Sequence, residues 1–302
     1  MSDKTKVGKA EESLKESTGE EQVLKLSSEQ EKKLSQAIES SWQQSNASRV
    51  KWMEDRKEGL AMYWGVRKGK DFPFKNCADM HVPLTRTITD TVHSNLIGSL
   101  DVIKPASIMP VGPEDVPKAR KAEKLLNWQF TTQVDYTDIA DKIIQTAAVF
   151  GSAPVKVRYV IEKRGGKKVI DGLKVDIIQP ERFLVPPDAS NSNVQDMGYV
   201  IHELPMSKSD LKLRKNAGMY DISDEDLKKV GDVYSKSEST ENSALENLRG
   251  FYSGIESQET TPTRSYGTVL VWYGYVDLDD DGVDELVMGT ALKECGFKVL
   301  RA

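Results

Sequence analysis

The sequence predicts an α+β fold, with N-terminal helices followed by a mainly antiparallel, β-rich portion. Three observations carry this. In the first half, apolar residues recur at four-residue steps, as in Leu34-Ile38-Trp42 and Ile88-Val92-Leu96-Leu100, and such a step keeps side chains on one helix face. From Val155 the period changes to two: Val155, Val157, Tyr159 and Ile161 alternate with Lys156, Arg158 and Glu162, which is strand spacing. The order, helices first and then a meander of strands, argues for α+β.

Residues 1–27 are rich in Lys, Glu and Ser with scarcely an apolar side chain, so a disordered tail is expected. Ser28 with Glu31 has capping-box spacing and predicts the start of a long helix. Leu34, Ile38 and Trp42 give it a narrow apolar stripe, so a helix mostly exposed or shared between subunits is expected. Val50, Met53, Leu60 and Trp64 carry the helical pattern onward. A second helix is predicted over about Leu84 to Leu100, with Ile88, Val92, Leu96 and Leu100 facing the core. Ser107 to Val111 reads as a short strand. Gly112-Pro113-Glu114-Asp115 reads as a helix start, with proline in the first turn and acids at the positive end of the dipole. Ala119, Ala122, Leu126 and Phe130 share a face of that helix. Another follows over Tyr136 to Phe150 and ends at Gly151.

The β-rich portion opens with a hairpin. Its strands hold Val155 to Ile161 and Leu173, Val175 and Ile177, and Gly165-Gly166 is the turn. Short strands are expected near Phe183 and over Tyr199 to Glu203. Ser207 and Ser223 each precede an acid by three residues and should cap short helices. Residues 235–265 are rich in Ser, Glu, Thr and Asn and read as a mobile insertion. Strands at Thr268 to Val276, Glu285 to Met288 and Phe297 to Leu300 complete the chain. The expected organisation is thus a tail at 1–27, a helical region at 28–150 and a β-rich region at 151–302.

With 302 residues the chain can bury a real core. Its 38% hydrophobic and 29% charged content is more polar than usual and fits a chain with disordered parts or one that relies on neighbours. No run is long enough to span a membrane, and MSDKTKVGKAEE has no apolar signal core, so a protein made in the cytosol is expected. Cys77 and Cys295 are read as unpaired thiols. The formal charge of −5 comes without a basic stripe, which argues against a grip on DNA phosphates.

The sequence holds no nucleophile elbow, no acid–base pair and no phosphate loop: GVRKGK at Gly65 to Lys70 lacks both the spacing and the hydroxyl residue. His81, His93 and His202 have no cysteine partner at zinc spacing. No catalytic, cofactor-binding or metal-ligating residue is therefore assigned. The sharpest chemical motif is Asp277 to Glu285, DLDDDGVDE. Alternating carboxylates with glycine at the sixth position suit a calcium loop, but Met288 stands where the bidentate glutamate belongs. An acidic hairpin turn, tightened at Asp281-Gly282, is the expected reading. A metal-dependent enzyme or a calcium-binding module built on this hairpin is the alternative.

The segment Met62 to Thr85, MYWGVRKGKDFPFKNCADMHVPLT, places Tyr63, Trp64, Phe72 and Phe74 among Arg67, Lys68, Lys70 and Lys75. Four large aromatics imply docking, on its own domain or on a neighbouring subunit. The order aromatic-Gly, basic-Gly, Pro-Phe, Asn-Cys-Ala-Asp, His-Val-Pro-Leu-Thr resembles the N-terminal region of portal proteins, the head-to-tail connectors of tailed phages, especially short-tailed ones. QPERFLVPPDA at Gln179 to Ala189 and YVIHELPMSKSDLKL at Tyr199 to Leu213 resemble the same family. The likeness spans roughly Gln30 to Arg301, apart from the polar insertion. It implies a non-enzymatic structural subunit, the wing-like part of a ring at one capsid vertex, usually of twelve copies. Double-stranded DNA passes through such a ring during packaging and ejection. The implied partners are the terminase packaging motor, capsid and scaffolding proteins and tail adaptor proteins, with no membrane. The implied location is the virion, and the host cytoplasm during assembly. Trp42, Trp64, Arg67, Phe72 and Phe74 are the candidate subunit-interface residues. GFKVLRA stops inside a predicted strand, so an N-terminal fragment of a longer portal is expected, since portals carry their channel-lining helices beyond this point.

Overall fold

The computed structural model describes residues 26–65, 82–100, 105–164, 167–189, 193–230 and 266–302, with backbone alone for the hairpin positions 161–164 and 167–171. The expected tail, most of the aromatic-basic loop, the Gly165-Gly166 turn and the polar insertion lie outside these residues. The helices are α1 (Ser28–Ser48), α2 (Val50–Trp64), α3 (Leu84–Leu100), α4 (Val116–Trp128), α5 (Tyr136–Phe150), α6 (Lys208–Asn216) and α7 (Asp224–Lys229). The strands are β1 (Val155–Arg164), β2 (Lys167–Ile177), β3 (Phe183–Leu184), β4 (Tyr199–Ser207), β5 (Tyr266–Val276), β6 (Glu285–Leu292) and β7 (Lys298–Arg301). The fold is α+β, as the change of period predicts. The chain divides into two units: residues 1–53, 161–170 and 181–302 form one, and 54–160 with 171–180 form the other.

The first unit is built on a five-stranded antiparallel meander in the order β3-β4-β5-β6-β7. β5 is its centre, and Val269, Leu270, Val271 and Trp272 are all buried. A continuous apolar run rather than an alternating one is what a strand covered on both faces requires. Leu270 and Trp272 join Leu34, Ile38, Ile201, Val287 and Ala291 in one cluster. Val269 joins Leu211, Leu227, Leu292 and Leu300 in another. Adjacent strand residues point to opposite faces, so α1 covers one side of the sheet, and α6 and α7 cover the other.

Helix α1 begins one residue earlier than its sequence spacing suggests. The Ser27 hydroxyl accepts from the Gln30 N–H, and the Gln30 side-chain oxygen accepts from the Ser27 N–H at 2.9 Å. The capping box is therefore Ser27 with Gln30, and Glu31 lies in the first turn, its N–H bonded to the Ser27 carbonyl. The helix is also better covered than its stripe implied. Leu34 and Ile38 are fully buried, and Ser41 and Ser45 extend the buried face. The serines are small enough to let the helix lie close to the sheet, and polar enough to hold it there. Ser45 Oγ and Tyr199 Oη lie 2.9 Å apart, and Tyr199 Oη donates to the Ser41 carbonyl. Gln30, Ser35 and Arg49 donate to the carbonyls of Leu278, Phe297 and Glu181. Opposite Leu34 and Ile38 stands Gly289 of β6, where an added Cβ would meet Ile38 Cδ1 at 3.0 Å and Leu34 Cδ1 at 3.4 Å.

On the other face, Ser207 and Ser223 cap α6 and α7 as expected, each accepting an N–H three residues on. Asp226, in the first turn of α7, accepts from Ser223 Oγ at 2.6 Å and from Lys298 Nζ of β7 at 2.8 Å. Those bonds, Lys298 first, hold its carboxyl at about 2, below the ordinary 3.8. Cys295 donates to the Asp226 carbonyl and is a free thiol. Burial first, then the nearby Asp226 charge, pushes it up to about 11, so it stays protonated and poorly nucleophilic at neutral pH.

In the second unit α3 packs on α5. Tyr63 donates to Asp90 at 2.9 Å, and burial, followed by that bond, raises its pKa. His93 lies 3.0 Å from Asp141. The expected Ser107–Val111 strand does not form. Asn127 of α4 instead clasps Ala106, donating to its carbonyl and accepting its N–H. A side-chain amide so takes the place of a strand partner. The expected start at Pro113 is a 3-10 turn, Pro113–Asp115, that leads into α4, whose own first turn holds Pro117, and Gln129–Gln133 continues α4 as a π-helical turn.

Two outcomes test this architecture. Leu34→Ala should cost about 2–5 kcal/mol in urea unfolding, and Gly289→Val about 1–3 kcal/mol by crowding the same contact. A Gly289→Val protein as stable as wild type would mean that α1 is not seated on β6. Asp226 has a folded pKa below its unfolded one, so its contribution is full above about pH 4 and is lost as pH falls toward 2. Asp226→Asn should therefore cost about 1 kcal/mol at neutral pH, the pair being partly screened by water. The gap from wild type should close by about pH 2 in pH-dependent denaturation.

Candidate assembly surfaces and the acidic turn

The acidic segment joins β5 to β6 and folds around one carboxylate. Asp277 Oδ1 accepts from the Asp280 N–H at 2.7 Å and Oδ2 from the Gly282 N–H at 2.9 Å. Asp279 and Asp281 accept from the N–H two residues on, and Glu285 accepts from the Leu278 N–H. The bend is thus a wound loop rather than a two-residue turn at Asp281-Gly282: Asp280 and Gly282 both take positive φ, 63° and 85°. Leu278 is buried beneath it, and Lys33 of α1 pairs with Asp280. For Asp277, partial burial raises the pKa, but the N–H groups of Gly282, Asp280 and Asp281 outweigh it and leave a lowered value.

Oxygens of Asp277, Asp279 and Glu285 lie within 4.8 Å of one another, the one such group among the described residues. A hard cation could reach all three. It would have to compete with N–H donors that already occupy both oxygens of Asp277.

Of the expected interface residues, Trp42 is half-buried within its own unit. Its N–H donates to Glu203 at 2.7 Å, Phe297 packs 5.7 Å from its ring, and Lys293 Nζ sits 4.2 Å above it. Glu203 is itself buried, with Arg49 Nη2 4.0 Å away, so the indole N–H and a guanidinium offset a carboxylate taken out of water. Trp64 meets Tyr63 edge-on, with the Arg86 guanidinium 5.6 Å from its ring. Arg67, Phe72 and Phe74 lie outside the described residues, as do His81 and Cys77.

Of the stripe expected to face the core along α3, only Leu100 does so. Leu84, Ile88, Val92 and Leu96 are exposed, while Thr89, His93, Ile97 and Leu100 form the half-buried side. The sequence did hold a sign of this. Away from the stripe α3 carries Thr87, Thr89, Thr91, Ser94 and Ser99, small uncharged residues whose hydroxyls each donate to a backbone carbonyl three or four residues earlier. Among its ionisable side chains are only Arg86, Asp90 and His93. A face meant for solvent is usually richer in charge.

These elements define an α+β chain whose described polar side chains brace loops, caps and helix contacts. A family model described as phage SU10 portal protein matches residues 160–301. The C-terminal half of the chain is thus similar to a phage portal protein, the head–tail connector of the virion, and the match supports the portal resemblance read from the motifs. No curated protein matches the chain. Among the described residues, no helix is long and apolar enough to cross a membrane.

The turn geometry has a direct test. Gly282→Val should lower the melting temperature by several degrees, because a β-branched residue resists its positive φ. Replacing Asp279 and Asp280 together with Asn should leave the melt nearly unchanged, since both are exposed and their mutual repulsion is screened.

Proposed function

We propose that this chain is a structural, non-enzymatic subunit of the portal ring at one capsid vertex. In that role it helps to frame the channel through which double-stranded DNA is packaged and ejected. It also gives the terminase motor, and later the tail adaptors, their attachment site. The observation that carries this reading is the family match over residues 160–301. Support comes from the motif order at Met62 to Thr85, upstream of the match, and from a net charge of −5 without a basic stripe. Such a surface suits a wall past which DNA slides. ATP hydrolysis belongs to the motor on this reading. Trp64, Arg67, Phe72 and Phe74 are the proposed contact residues of the aromatic-basic loop, and the exposed edge of Trp42 is a further one.

A second reading, a calcium-binding module, has the convergence of Asp277, Asp279 and Glu285 in its favour. Calorimetry separates the two. The portal reading expects no micromolar calcium binding, whereas binding abolished by Asp279→Asn would favour the module. For the ring itself, native mass spectrometry and electron microscopy of the full-length chain at high protein concentration should show a closed homo-oligomer. A strictly monomeric species would count against it.

A further inference from the structure

We infer that two apolar surfaces of the second unit are the complementary halves of one contact: the stripe of α3 in one copy packs against the β1–β2 hairpin of the next. This rests on the ring reading above and specifies the surfaces that would build the ring.

The first surface is the α3 stripe. Leu84, Ile88, Val92 and Leu96 are 62%, 63%, 45% and 46% exposed at four-residue spacing, and Val82, just before the helix, is 63% exposed. Arg86 and Asp90 pair with each other at 3.5 Å, and His93 is turned to Asp141. The stripe therefore offers a partner methyl groups and no unmatched charge. The helix meets α5 along its other side, so packing among the described residues leaves the stripe open.

The second surface lies on the hairpin. Val157 and Tyr159 are 61% and 59% exposed, and Val155 beside them is also open. On the neighbouring strand Leu173, Val175 and Ile177 are only half-buried. The ribbon's charged pair, Arg158 with Asp176 at 2.7 Å, involves the alternate positions. The ribbon's alternate side is covered, with Val160 buried and Gln133 against Gly172, and the side that carries Val157 and Tyr159 is the open one.

Contiguous apolar patches are uncommon on monomers and mark contacts. Because both surfaces are exposed, neither covers the other within one chain. A two-fold contact of stripe on stripe would leave the hairpin bare. A head-to-tail contact uses two different surfaces per subunit and covers both at once, and it is the geometry that closes a ring. An uncharged aliphatic helix face on an uncharged β-branched sheet face is also a standard layer packing. The occupant of the α3 stripe is therefore a second copy of this chain.

The test uses the full-length protein with Cys77 and Cys295 replaced by Ser. Ile88→Cys and Val157→Cys are made singly and mixed, then treated with a short bis-maleimide. The mixture should yield a cross-linked heterodimer, each single variant alone should yield none, and the double variant should yield a ladder of linked oligomers. Ile88→Lys should leave the melting temperature of the dissociated protein unchanged, since the side chain is exposed, and should weaken self-association at least ten-fold. Dimers linked through Ile88→Cys alone, an unlinked mixture, or undiminished assembly of Ile88→Lys would overturn the inference. Native mass spectrometry separates the two levels of failure. An oligomer without the Ile88–Val157 link refutes these surfaces and leaves the ring standing, whereas a full-length chain that stays monomeric refutes both.

Discussion

Leu34 and Ile38 can reach the sheet only because β6 carries no side chain at Gly289. Most of the first unit depends on that approach. It covers Leu270 and Trp272 of the central strand, and it brings the polar edge of α1 within reach of Tyr199, Phe297, Leu278 and Glu181. The apolar contact supplies the drive, through area removed from water. The side-chain bonds to backbone carbonyls supply the register, because each must find a particular strand end. Glu203 can remain buried for the same reason: the seated helix brings the Trp42 N–H and Arg49 to it.

How much of this could be read in the sequence follows from where each signal lies. The β hairpin, the serine caps of α6 and α7 and the limits of α3 and α5 are local patterns, and local rules place them. The burial of α1 is not local. Its stripe looked narrow because Ser41 and Ser45 count as polar, yet they lie on the buried face where a close approach needs small side chains. Ser107 to Val111 has strand-like residues, but a strand needs a partner, and Asn127 satisfies Ala106 instead. For α3 the period was right and the direction wrong. Four-residue spacing says that a helix has an apolar face, not whether that face meets its own chain or another.

The acidic turn shows the same limit for chemistry. Carboxylates in a regular pattern suggest a cation, but short side chains in loops also bond their own backbone. At Asp277 that use occupies both oxygens, and the loop is wound by hydrogen bonds that the order of residues alone does not rank. The interface residues proposed from the aromatic loop rest on composition. Trp42 illustrates how an aromatic that looks available for a neighbour can be engaged by Glu203, Phe297 and Lys293 of its own unit.

The pairing of Ser35 with Phe297 spans 262 positions of sequence, and this has a consequence for biosynthesis. Helix α1 leaves the ribosome among the first folded segments, but the strands that bury Leu34 and Ile38 are made much later. At typical elongation rates of about 5–20 residues per second, the helix waits on the order of tens of seconds with its apolar face open. Nascent chains on one messenger therefore display the same unsatisfied helix side by side. Folding of the first unit must wait for those strands, and premature association of neighbouring chains through α1 is the hazard built into this topology.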